Sequence, residues 1–312
     1  MNRYILYQPM HGIAVEIHIL EIMRHLARIL DRIIVLPKLP VLESMNYEED
    51  LSYYFEIPKK ELWISTSEFL DLGFQEIDEL YHVIPRYRAE YNNQLVKELH
   101  PVWLKLIEQF LYFQELDFSI KKISPITLYN PLCENDVKSN FNNSAQVIAI
   151  SYVNGIIDDA LISNDNDVDE FIHHQMTPNQ PHKRFLKIAQ SFMLNKEYTA
   201  VHWRRGANAE TMANKFWNKP LAEISEYYKY IPEHCERIYL ATDTRGVEFA
   251  PPSRSLLISK YYCDSPNRNA VVDMCGCILA DKFIGSQFST FSNYIYHSRT
   301  MIGKSVNTSI LL

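Results

Sequence analysis

The chain has 312 residues, of which 47% are apolar and 22% charged, with a formal net charge of −7 at pH 7. At roughly 100–200 residues per domain, that length suggests two domains or one large one, with the composition of an ordinary globular protein and not a disordered one. No Lys/Arg run reaches the roughly five residues of a nucleic-acid patch, and no window of about 18 apolar residues exists, so neither nucleic acid nor a transmembrane segment is expected.

Residues 3–7 are a short apolar run and predict a strand, too short for the core of a signal peptide. Residues 8–12 follow as a turn containing Pro9 and Gly12. From 13 to 30, apolar residues recur at helical spacing: Ile13, Ile17, Leu20, Ile22, Leu26 and Ile29. A second strand at 33–36 ends at Pro37. The result is a strand–helix–strand unit, the building block of a parallel sheet. Residues 47–88 are less regular, with a candidate strand at 61–64. Residues 91–118 read as helix interrupted at Pro101, and 147–150 as a buried strand. Residues 156–178 are polar, with an acidic cluster, and read as a partly helical surface segment.

A helix at 185–194 marks the expected domain boundary, giving domains 1–184 and 185–312. Strands are then expected at 199–203, 237–241, 256–258 and 282–284, and helices at 221–230, 271–280 and 291–301. This alternation again implies a parallel sheet. The five cysteines, Cys133, Cys235, Cys263, Cys275 and Cys277, are odd in number and irregularly spaced. That pattern argues for a reducing compartment and against a disulfide framework. Cys275 and Cys277 form a C-x-C pair with no second pair to complete a zinc site, and they read as part of a helix.

In open α/β sheets, ligands bind outside the carboxyl ends of the strands. Three such places carry polar residues here: His202-Trp203-Arg204-Arg205-Gly206, Thr242-Asp243, and the turn from Gly285 to Ser292 that enters the last helix. Strand alternation puts His202 and Arg204 on one face, and Trp203 and Arg205 on the other. An Arg fork suits a diphosphate, and His202 can add a donor. Ser289 and Thr290 at a helix start offer a cap, hydroxyls and outward backbone N–H groups, which together suit an anion. Each motif also has a plain structural reading, as surface ion pairs or ordinary caps. Asp243, Asp273 and Asp281 are carboxylates that can accept from a ribose or from guanine.

HWRRG at 202–206, YLATD at 239–243 and ADKFIGSQFSTFS at 280–292 resemble three blocks of the fucosyltransferase superfamily, which includes protein O-fucosyltransferases, α-1,6-fucosyltransferases and nodulation fucosyltransferases. The opening YQPMHGIAVEIHILEIMRHLARILDRIIVLPKLP resembles that family's first block. The resemblance covers the last 115 or so residues and the first 40, and leaves the middle unmatched. It implies an α/β, GT-B-like fold of two Rossmann-type domains with parallel sheets facing a cleft. Domain 1–184 would be the acceptor side and 185–312 the nucleotide-sugar side. It also implies an inverting, metal-independent enzyme with GDP-fucose as donor and a protein or glycan as acceptor. Carried over by position, Arg204 holds the β-phosphate with His202 and Arg205 beside it. Ser289, Thr290 and Phe291 line the phosphate and nucleotide, and Asp243 and Asp273 lie near the guanosine. Glu16 and His11, near the end of the first strand, are candidate bases from across the cleft. Two departures stand out. Glu16 or a neighbour stands where protein O-fucosyltransferases often have Asn, and Ala207 where many members have an acid, with Glu210 three residues on. The alternatives are another nucleotide sugar as donor, or a non-catalytic relative that binds a glycan or peptide. The expected location is cytoplasmic, or peripheral to a membrane carrying the acceptor.

Overall fold

The computed structural model describes residues 2–9, 12–40, 47–58, 63–83, 116–126, 134–151, 179–193, 197–204, 221–242, 255–258, 265–287 and 289–312. The chain divides into two compact units. One comprises Met1–Tyr53 with Ile57–Thr177, the other Tyr54–Glu56 with Pro178–Leu312.

In the first unit, β1 (Tyr4–Tyr7) is buried at every position, as a central parallel strand covered on both faces must be. It leads into α1 (Ile13–Leu30), which buries Ile13, Ile17, Leu20, Met23, Leu26 and Leu30 along one stripe. The helix ends where Asp31 takes the left-handed conformation (φ 51°), and the Arg32 amide returns to the Ala27 carbonyl at 2.9 Å. This closure usually carries Gly, and Asp tolerates it. Then follow β2 (Ile33–Leu36), the antiparallel ribbon of β3 (Lys38–Pro40) and β4 (Tyr47–Asp50), the single turn α2 (Leu51–Tyr54), β5 (Trp63–Ser65) and α3 (Thr66–Asp71). Ser65 and Glu68 start α3 with a reciprocal capping box. The remaining elements are β6 (Glu76–Ile77), β7 (Glu79–Val83), β8 (Ser119–Ile120), β9 (Ile123–Ile126), α4 (Glu134–Asn140) and β10 (Val147–Ser151). Six of these strands form a parallel sheet in the order β5-β2-β1-β10-β7-β9, with winding that reverses between β1 and β10. Leu6, Val35, Leu80, Val147 and Ala149 pack one face of it against Phe69 and Ile77.

Two polar devices hold this unit at the amino ends of its strands. The guanidinium of Arg32, itself buried, donates to the carbonyls of Tyr4, Asn142, Ala145 and Gln146 at 2.9–3.3 Å. Burial, with help from nearby Arg3, lowers its pKa to about 10, so it stays charged at neutral pH. Asp78 accepts from the amides of Gln146 and Val147 and from Lys121 at 2.9–3.0 Å. Partial burial opposes the Asp78 charge, but Lys121 and the two amides outweigh it and hold the carboxyl below its usual range.

The second unit contains α5 (Lys183–Met193), β11 (Thr199–Trp203), α6 (Ile224–Tyr228), β12 (Arg237–Thr242), β13 (Ser255–Ile258), α7 (Pro266–Leu279), β14 (Lys282–Gly285), α8 (Thr290–Met301) and β15 (Ser309–Leu311). All five strands are parallel in the order β13-β12-β11-β14-β15, and the winding reverses between β11 and β14. Tyr54–Glu56 joins this unit because Tyr54 stacks on Phe185, Phe55 bridges Pro181, and the Phe55 ring meets Tyr294 edge-on. Val201, Ile238, Leu240 and Ile284 pack one sheet face with Tyr227 and Ile231. Helix α7 packs on β11 and β12. Arg299, fully buried, donates to the carbonyls of Cys277, Ile278 and Ala280, which ends α7 with side-chain bonds. It also donates to Asp281, Thr308 and Ser309. Burial lowers its pKa.

The expected elements of the first 40 residues and of the second unit are present within a few residues of their expected ends. The strand expected at 61–64 is β5, shifted to 63–65. Strands β7 and β9 and helix α4 were not expected. In β7, Glu79 and His82 hide the strand signal, because both polar side chains are buried in pairs. Most of the helix expected at 91–118 lies outside the described residues, and its end is instead a turn at Leu116–Asp117, with Asp117 at φ 54°. The segment 156–178 also lies outside them. Cys235, Cys275 and Cys277 are free thiols, the last two buried in α7, where burial raises their pKa values. Among the described residues, no helix is long and apolar enough to cross a membrane.

Candidate functional site

A doubly wound sheet leaves a crevice where neighbouring strands send their connections to opposite faces. In the second unit that point lies between β11 and β14, at the carboxyl ends that carry His202 and Gly285. Along β11, Val201 faces the Tyr227 side of the sheet, so His202 faces the other. Trp203 turns back to the Tyr227 side, and its indole N–H reaches the Ala222 carbonyl at 3.4 Å. The Thr242 hydroxyl donates to the Trp203 carbonyl at 2.8 Å and ties the ends of β11 and β12 together.

His202 is buried, and its Nδ1 lies 2.7 Å from the Oγ of Ser292 in the first turn of α8. Its ring lies 4.6 Å from that of Phe291, tilted by 36°. The same Ser292 Oγ accepts the amide of Ser286 at 3.0 Å. Ser289 caps α8, its buried side chain accepting from the Ser292 amide. Thr290 is the first helical residue and is partly exposed. With Ser289 engaged in this way, the amides of Thr290 and Phe291 point out of the helix end, which carries the positive end of the helix dipole. The first turn of α8 contains no acid.

The close approach of β14 to α8 depends on Gly285. A Cβ there would meet Ser292 Oγ at 2.6 Å, Ser292 Cβ at 2.8 Å and the tip of the Phe283 ring at 2.7 Å. Any side chain would therefore push the helix start off the strand end. The turn is also braced by Leu312, directly after β15, through Leu312 N–H to Gly285 O at 2.9 Å and Gln287 N–H to Leu312 O at 2.8 Å.

The structure thus brings together His202, Ser289, Thr290 and Phe291, with Arg204 exposed directly beyond β11. Asp273 lies elsewhere: it is buried within α7 and accepts the hydroxyl of Tyr239. Tyr239 pairs with Ala200, about 7 Å down β11 from His202 at strand rise. Asp281 accepts the amide of Tyr198 at 3.0 Å, at the opposite end of the sheet. Glu16 belongs to the first unit, fully buried in the first turn of α1. His11, Arg205 and Asp243 lie outside the described residues. Ser292 was not singled out by sequence. Its signal was a third hydroxyl three residues after the Ser289 cap, on the side of the helix that meets the strand.

Taken together, the site combines a buried imidazole, a hydroxyl-capped helix start and an arginine at a switch point, which is the chemistry of an anion site on a doubly wound sheet. The fold as a whole is the α/β, GT-B-like one expected. No family model matches the sequence, and no curated protein matches it. Among solved structures, it is similar to POFUT1 in complex with GDP, with a TM-score of 0.66 and 15% identity over 99% of this chain and 98% of that one. POFUT1 in complex with GDP-fucose is similar at a TM-score of 0.64 and 17% identity, over 99% and 98% of the two chains.

Proposed function

We propose that the protein is an inverting glycosyltransferase that transfers L-fucose from GDP-fucose to a hydroxyl of a protein or glycan acceptor. The observation that carries this reading is the junction of His202 with the start of α8 at the switch point, beside Arg204. The ligands GDP and GDP-fucose in the POFUT1 structures of the same fold support the choice of donor.

In this reading the diphosphate lies against the amides of Thr290 and Phe291, with His202 and Arg204 as further donors and Arg205 beside them. The guanosine is taken up near Asp243, and Phe291 packs on the nucleotide. Asp273, engaged by Tyr239, supports that wall from within the core. As the bond from the anomeric carbon to the β-phosphate oxygen breaks, negative charge collects on GDP. Fixed donors aimed at that charge lower the barrier, and they are usually the largest catalytic contribution. The acceptor hydroxyl attacks from the opposite face of the sugar and loses its proton to a carboxylate or imidazole, for which Glu16 and His11 are the candidates carried over from the sequence. No metal takes part, and a cytoplasmic location belongs to the same reading.

The test is calorimetric titration with GDP and with UDP, for the wild type and for Arg204→Ala. Loss of a charged phosphate contact is expected to weaken GDP binding by about 1.5–3 kcal/mol, roughly ten- to a hundredfold. Preference for UDP would discard fucose as the donor sugar, and binding of neither would leave a non-catalytic glycan- or peptide-binding protein. Glu16→Gln is expected to abolish transfer while GDP binding persists; full activity would remove Glu16 from the mechanism.

A further inference from the structure

We infer that Ser292 is a positioning residue that fixes His202 as the neutral tautomer with its hydrogen on Nε2. One oxygen decides the tautomer. Ser292 Oγ is completely buried and already accepts the Ser286 amide at 3.0 Å. A hydroxyl has one hydrogen to give, and a buried one is costly to leave without an acceptor. Among the described residues, the acceptor within reach of the Ser292 hydroxyl is His202 Nδ1, at 2.7 Å. The hydroxyl therefore donates to Nδ1, which must be bare, and the ring hydrogen sits on Nε2. The reverse arrangement, Nδ1–H donating to Ser292, would aim two N–H groups at the oxygen and strand its own hydrogen. A doubly protonated ring would do the same, so the pair also opposes the charged imidazolium.

The Ser286 amide gives this hydrogen bond its direction, and Gly285 makes it possible by letting Ser292 approach the strand end. The consequence is functional. An imidazole with the hydrogen on Nε2 is a donor on its far side, as an anion requires, and it needs no protonation to act. In this second step the inference rests on the diphosphate reading above. The tautomer itself does not.

A long-range proton–nitrogen correlation spectrum of the full chain, labelled with nitrogen-15 at histidine, reads the tautomer directly. His202 is assigned by the signals lost in His202→Gln. The wild type without nucleotide is expected to show a single pattern, with Nε2 protonated and Nδ1 bare. Ser292→Ala is expected to populate both tautomers, and Ser292→Thr, which keeps the hydroxyl, to restore the single pattern. Hydrogen on Nδ1 or on both nitrogens of the wild type at neutral pH would overturn the inference, even if Ser292→Ala fails to fold. So would an unchanged Nε2–H pattern in a folded Ser292→Ala. GDP titration reads the consequence: Ser292→Ala should bind roughly three- to tenfold more weakly, the effect of one neutral hydrogen bond, and Ser292→Thr should recover. A wild type with the Nε2–H pattern but no affinity for GDP would keep the role of Ser292 and overturn the diphosphate reading instead.

Discussion

Each unit buries a histidine–serine pair at the carboxyl ends of its strands, and the two pairs differ in what surrounds them. In the first unit His82 Nδ1 meets Ser151 Oγ at 2.9 Å, on the neighbouring strands β7 and β10. In the second, His202 meets a serine that belongs to a helix start and also receives a backbone amide. The helices at the two switch points differ as well. Helix α1 carries Glu16, fully buried, in its first turn, whereas the first turn of α8 contains no acid and begins with Ser289, Thr290 and Ser292. An acid in the first turn of a helix is favoured by the positive end of the helix dipole. Shared winding thus reverses in both sheets, while the first helical turn at the reversal differs in charge between them.

The units also share a stabilising device, and breaking it is expected to give the largest effects. Arg299→Met removes donors from three carbonyls at the end of α7 and from Asp281, Thr308 and Ser309. The expected loss is about 3–5 kcal/mol, read by urea or thermal unfolding, because buried carbonyls lose their partners. Arg32→Met removes donors from four carbonyls, that of Tyr4 at the start of β1 and those of Asn142, Ala145 and Gln146 in the turn before β10. It should cost less, about 2–3 kcal/mol. Equal losses would mean that the extra partners of Arg299 add nothing.

Gly285→Ala strikes the close approach of β14 and α8 in the second unit. Overpacking against Ser292 and Phe283 should cost about 1–3 kcal/mol in unfolding experiments, and it should also impair GDP binding. A stable variant with intact GDP affinity would show that the close approach of β14 and α8 does not matter to the site. The smallest effect separates the units by pH. Asp78 is held below its usual range when folded, so its contribution is present above the ordinary carboxylate pKa and is lost as pH falls through the folded value. Asp78→Asn should cost at most about 1 kcal/mol at neutral pH and nothing in strong acid. The Arg299 cluster, whose acceptors are carbonyls and hydroxyls, has no such acid limb, so acidification should raise hydrogen exchange around Asp78 before it does around Arg299.

Local information sufficed for much of this protein. The apolar spacing of Ile13, Ile17, Leu20 and Leu26 specified α1, because one face of a helix repeats every 3.6 residues whatever lies beside it. The alternation of short strands and helices specified parallel sheets, and polar residues at strand ends marked His202, Arg204 and the Ser289–Phe291 turn as one candidate site. Tertiary structure alone decided the rest. Ser292 meets His202 from 90 positions away, so no spacing rule connects them. The buried roles of Arg299 and Arg32 have no signal in the sequence, because nothing there distinguishes an arginine in water from one enclosed by carbonyls of several elements. The contact of Asp273 with Tyr239, 34 positions away, is likewise set by packing. Periodicity shows which face of an element is apolar, but the partner of a buried polar group is set by how elements pack, and that sum of long-range contacts has no local signature.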